Sequence, residues 1–147
     1  ICRLKQYGGL GVKNLRTQGL AMRMRWEWLR RTDPSRPGQG LNLMVDKEAK
    51  AVFDSLVHIE VGEGSKIFFW TDRWIHGFAA KDIAPLIAGM VDKLTKRKRT
   101  VQDALLEDSW VNDISGELTF TAHLQLIHLQ HALATIQRNA SDDDAFY

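Results

Sequence analysis

Hydrophobic and polar positions alternate most clearly at Val57-His58-Ile59-Glu60-Val61. The apolar side chains at 57, 59 and 61 fall on one face, a period of two that predicts a half-buried strand. Gly62-Glu63-Gly64 follows as a compact turn, because glycine reaches positive φ without a Cβ clash. Lys66-Ile67-Phe68-Phe69-Trp70 is β-branched and aromatic, which suits a second strand, and it is apolar on both faces, so each side is expected to be covered. Trp74 is placed to fold back over this hairpin. The tryptophans read first as core; the sharper alternative is a set of exposed indoles on which bases stack.

A period of 3.6 dominates elsewhere. Asn14 is a good N-cap for a helix over 15–31, since its side chain accepts from a free first-turn amide. Leu20, Ala21, Met24 and Trp28 form one stripe of that helix, Met22, Trp26 and Leu29 a second, and the arginines lie largely off the first. Two prolines and two glycines in 32–40 predict a loop. Asp46 then caps a helix to Leu56 with Ala49, Val52, Phe53 and Leu56 facing inward. A short helix is expected near 82–86. Thr100 caps another, with Asp103 three residues on, and Val101, Ala104, Leu105, Trp110 and Ile114 pack. The segment 121–138 reads as a long helix with Leu124, Ile127, His128, His131 and Ile136 within or near one broad stripe.

Composition changes this picture mainly through charge. The 147 residues fit one domain of ordinary size, and the formal net charge is only +2. Yet residues 1–40 hold nine Lys or Arg against two acids, net +7, and residues 100–147 hold one Arg against eight acids, net −7. That polarity suggests that the N-terminal part meets an anion; the alternatives are two ends that face each other, or ordinary solvated surface. Arg23, Arg30 and Arg31 on the first helix, and the dense run Lys96, Arg97, Lys98 and Arg99, are the candidate phosphate contacts. The run also has the composition of a nuclear-import signal, and a solvated linker is its bland reading. Residues 139–147 form an acidic tail expected to be flexible.

Several chemistries are set aside. Gly8-Gly9-Leu10-Gly11 lacks both the Gly-Lys-Ser/Thr ending of a Walker loop and a convincing strand before a dinucleotide fingerprint. His123, His128 and His131 have no well-placed carboxylate or thiolate, so no metal is expected. Lone Cys2 excludes an internal disulfide. There is no Gly-x-Ser-x-Gly elbow and no Cys–His pair, so no catalytic residue is assigned. No apolar run approaches the roughly 18 residues of a membrane span. No secretory signal is visible, which makes an intracellular setting the default expectation. Ile1 is not an initiator methionine, so the chain is expected to be a piece of a longer protein or numbered after processing.

The ordered motifs resemble a known lineage. Cys2-Arg3-x-Lys5-x3-Gly9-Leu10-Gly11-Val12-x-Asn14-Leu15, Ala21-x4-Trp26-x-Trp28-x-Arg30, and above all Val61-Gly62-x-Gly64-x2-Ile67-x2-Trp70-x-Asp72-x-Trp74 resemble a stretch of plant LINE-type (non-LTR) retrotransposon polyproteins. Pro85-Leu86, Thr100-Val101-x-Asp103 and Trp110 are similar to later landmarks of the same region, while Gly38 stands where that lineage usually has an aromatic residue. The resemblance implies a connector between the reverse-transcriptase domain and a downstream zinc-binding domain, both of them packing partners, beside the RNA or DNA backbone. It carries over no catalytic residue, because the polymerase's aromatic-x-Asp-Asp motif and the Cys/His cluster belong outside this stretch. It implies a gene fragment of retroelement origin. Gly62, Gly64, Trp70, Asp72 and Trp74 are its motif and packing residues.

The combined expectation is an α+β domain over 1–138, mostly helical with a central β-hairpin and no cofactor. Its role would be non-catalytic: backbone contact with nucleic acid, or packing beside the polymerase. The alternative is a purely structural interaction module that docks through Trp26, Trp70 and Trp74.

Overall fold

The computed structural model describes residues 14–33, 35, 47–137 and 141–147. The fold is α+β and mostly helical, with a small two-stranded antiparallel sheet. The chain divides into two compact units, Ile1–Leu56 and Val57–Tyr147.

In the first unit, α1 (Leu15–Thr32) starts where its cap predicts: the Asn14 side chain accepts from the amides of Arg16 and Thr17. Arg30 and Arg31 in its last turn suit the negative end of the helix dipole. α2 (Lys47–Leu56) buries Ala49 and Phe53 as expected, but Leu56 is exposed. The expected Asp46 cap, the 36–46 part of the loop with Gly38, and the Gly8 cluster lie outside the described residues. The α1 stripe of Leu20, Met24 and Trp28 is only half-buried, and the buried residues of that helix are Glu27 and Arg31. A charged pair closes here because each partner satisfies the other.

In the second unit, β1 (Ile59–Glu60) is the expected strand. Its partner is β2 (Ala145–Phe146), with Ile59 opposite Phe146 and Glu60 opposite Ala145. The antiparallel pair is therefore completed by the C-terminal segment and not by 66–70. The reason is local. The Asp72 carboxylate accepts the Phe68 amide at 2.8 Å, and the Asp72 amide donates to the Phe68 carbonyl at 3.1 Å, so the chain curls at 68–72 instead of running straight. Two of its other backbone groups pair irregularly with 99–102: the Phe69 amide donates to the Arg99 carbonyl, and the Ile67 carbonyl accepts from the Val101 amide.

Short helices follow: α3 (Ala80–Ile83), α4 (Pro85–Gly89), α5 (Lys93–Lys98) and α6 (Val101–Leu105). α6 runs into a kinked 3-10 stretch, Leu106–Asp113, and α7 (Phe120–Ala134) begins at a Thr119 cap. The core of this unit is aromatic. Trp70, Phe69 and Trp110 are fully buried; Phe69 and Trp110 stack with centroids 5.7 Å apart, and Trp70 meets Phe69 edge-on at 5.0 Å. Trp74 does fold back, its indole N–H donating to the Phe69 carbonyl at 2.9 Å. Ile67, Ile75, Ile87, Val101 and Leu129 complete the packing.

The α7 stripe lies largely on the solvent side. Ala122 and Leu129 are buried and Leu126 and Leu133 pack beside them, whereas Leu124 and Ile127 are 52% and 59% exposed and His128 and His131 face solvent. This helix is apolar on nearly every side, so periodicity alone does not select its inner face.

Candidate functional site

The basic candidates fall in different units and meet different fates. Arg31 is only 5% exposed. Its guanidinium binds the Glu27 carboxylate at 3.0 Å and lies 5.2 Å from the centroid of the Phe53 ring. Arg30 reaches the same carboxylate at 3.1 Å with its head half in solvent. Arg31 thus serves as a structural cation, because moving it to solvent would leave Glu27 buried with one fewer partner. Arg23 lies on the exposed part of α1.

Arg99 is likewise removed from the dense run. It grips the Asp113 carboxylate in a two-pronged ion pair, Nε to Oδ2 at 2.8 Å and Nη2 to Oδ1. That hydrogen bond is the main cause of an arginine pKa raised above its ordinary value. Lys96, Arg97 and Lys98 remain on α5, joined by Lys93. Arg97 and Lys98 are exposed, and no ion pair among the described residues involves either. Asp92 caps α5 by accepting the Leu94 amide at 2.8 Å; that bond, with help from the nearby Lys96 charge, holds its carboxyl below the usual range. The cap orders the single turn and a half that presents these cations.

The motif residues assemble something that the sequence did not announce. The amides of Gly62 and Gly64 donate to Asp144 Oδ1 at 2.9 and 2.8 Å, and the Lys66 amide donates to Asp144 Oδ2 at 2.9 Å. Three backbone donors thus surround one carboxylate that is 8% exposed. Both glycines are required. A Cβ at Gly62 would sit 2.6 Å from the Asp143 carbonyl. Gly64 holds φ at +83°, and a Cβ there would meet the Gln102 amide nitrogen at 2.8 Å. The expected flexible tail is corrected where it is described: 142–147 is held by this cradle, by β2, and by the Glu63 amide donating to the Asp142 carbonyl at 2.8 Å. An Asp-rich run reads as solvated until its donors are found 78 to 82 residues away.

Tyr147 closes the segment. Its backbone exchanges hydrogen bonds with His58 at 2.9 and 3.1 Å, and its hydroxyl donates to Glu60 Oε2 at 3.0 Å. That bond and the Glu60 charge raise the phenol pKa above its usual 10.0. The folded value being the higher, the contribution is complete below pH 10 and is lost as pH rises through the folded value. Tyr147→Phe is therefore expected to lower urea stability at pH 8, and the gap from the native chain should close in strongly alkaline buffer. A gap that persists unchanged there would refute the assignment.

A cavity of about 490 Å³ lies beside β1, lined by His58, Glu60, Trp74, His76, Asp142 and Asp143 among others. Its described lining has three carboxylates and, among the described residues, no Lys or Arg, so phosphate is not favoured there. Trp70 and Trp74 are both buried, which removes them as stacking platforms and as docking anchors. No described helix is long and apolar enough to cross a membrane.

Comparison with protein-family models, with curated proteins and with solved structures returns no match.

Proposed function

We propose that this chain is a non-catalytic module of a LINE-type retrotransposon reverse-transcriptase polyprotein that makes auxiliary contact with the RNA or DNA backbone. The observation that carries the reading is α5, where Lys93, Lys96, Arg97 and Lys98 fall within six residues and Arg97 and Lys98 stand exposed without a carboxylate partner among the described residues. Such cations neutralise phosphates and release counterions without reading bases. Arg23 and Arg25 on α1 add exposed charge in the other unit.

A non-catalytic role is supported by what the carboxylates already do. Asp72 binds the Phe68 amide, Asp113 binds Arg99, and Asp144 binds three amides, so none of these three is poised for proton transfer. Packing beside a neighbouring polymerase or zinc-binding domain is favoured by one further observation, the exposed apolar row Phe120, Leu124 and Ile127 on α7.

The test is a triple variant, Lys96→Ala, Arg97→Ala and Lys98→Ala. Alanine preserves the helix. On single-stranded RNA the slope of log affinity against log salt should fall by about 2, roughly 0.7 per lost phosphate contact. Arg31→Ala should leave that slope unchanged while destabilising the first unit. An unchanged slope in the triple variant would sink the proposal.

A further inference from the structure

The 142–147 segment is bound to the rest of its unit in the manner of a peptide ligand. It adds an antiparallel strand to β1, and its side chains are read one by one. Position 144 faces three N–H donors, two on one carboxylate oxygen and one on the other. A carboxylate satisfies all three, whereas an asparagine side chain has one acceptor oxygen and turns an NH₂ toward a donor. Ala145 lies opposite Glu60. Phe146 packs against the aromatic core, and Tyr147 offers its hydroxyl to Glu60. The receptor side, 57–66, is shaped for this occupant by the two glycines whose side chains would collide with it or with Gln102.

We propose that residues 57–66 form a recognition site for an extended Asp-x-Phe-Tyr strand, filled in cis by 144–147 and able to take the same strand in trans. The site has the features of strand-addition recognition: main-chain bonds for affinity, and a charge socket with an aromatic contact for selectivity. This inference does not rest on nucleic-acid contact and survives its failure.

The experiment uses the full chain with a specific protease site inserted between Asn139 and Ala140, cut after purification. A fluorescent peptide of sequence Ser-Asp-Asp-Asp-Ala-Phe-Tyr, matching 141–147, is added and anisotropy is read. The expected result is saturable uptake of the peptide as it exchanges with the cut segment. The same peptide with Asp144→Asn should compete about tenfold or more less well, as loss of hydrogen bonds to a charged acceptor requires. No uptake, or equal competition by the two peptides, overturns the proposal. The uncut Asp144→Ala chain provides a second measurement, with the peptide supplied in trans and folding followed by near-ultraviolet tryptophan dichroism. Rescue of the signal by the native peptide supports the site. If both forms unfold and neither is rescued, the proposal is overturned, since a receptor must stand without its ligand attached.

Discussion

Asp144→Ala should destabilise the Val57–Tyr147 unit by about 3 kcal/mol, since hydrogen bonds to charged groups contribute about 1.5–3 kcal/mol each and do not add fully. The substitution removes the common acceptor of the Gly62, Gly64 and Lys66 amides, all at 2.8–2.9 Å, and orphans donors that the fold has already taken out of water. The loss also reaches β2, because Asp144 directly precedes Ala145 in the strand register. Asp144→Asn should fall between the two, keeping the shape but only part of the acceptor capacity. Urea titration followed by tryptophan fluorescence gives the midpoints, and Trp70, Trp74 and Trp110 all report on this unit. A midpoint unchanged by Asp144→Ala would mean that the cradle contributes nothing, and the 62–66 loop would need another reason for its two glycines.

Trp70→Ala is expected to cost more, about 3–5 kcal/mol, because it empties a large site at the centre of a close-packed core. Trp70 is 0% exposed and touches both Phe69 and Trp110. Its backbone carbonyl also accepts the Lys81 amide at 3.3 Å, which ties the curl at 68–72 to the start of α3. A domain of this size holds about 5–15 kcal/mol, so the variant should lose a large part of its stability and its near-ultraviolet dichroism. Trp70→Phe should cost about half as much, since a smaller ring keeps part of the contact with Phe69 and Trp110. If Trp70→Ala unfolds at the native urea midpoint, the aromatic cluster is not the centre of the unit.

How much of this was legible depends on how local each determinant is. α1 could be bounded from sequence because Asn14 and the Asp33-Pro34 pair act within a turn of the helix ends. The strand at Ile59 was legible from alternation alone. Its partner was not, because Asp142-Asp143-Asp144 looks like a solvated tail and nothing nearby names its donors. The 66–70 segment has strand-forming side chains, yet Asp72 captures the Phe68 amide and turns the chain. Local hydrogen bonding overrode propensity there. The inner face of α7 was not legible, since apolar residues on nearly every side leave it to be chosen by tertiary packing.

The candidate site divided in the same way. Arg97 and Lys98 stayed exposed because α5 buries no residue at all. Arg31 and Arg99 have the same charge in the sequence but are held by Glu27 and Asp113, one partner four residues away and the other fourteen. The first could have been found as an i, i+4 pair on a helix face. The second required knowing that the 3-10 stretch returns to the start of α6. Gly62 and Gly64 were singled out as motif residues, but their purpose emerges only from the carboxylate they surround.

The central claim is that exposed cations of this chain bind nucleic-acid phosphate. Its most direct measurement is a titration of single-stranded RNA with the full chain between about 50 and about 200 mM salt. If three or four phosphates are neutralised, log affinity should fall with log salt at a slope of about −2 to −3. No binding at the lowest salt, or an affinity that does not change across the range, would contradict it.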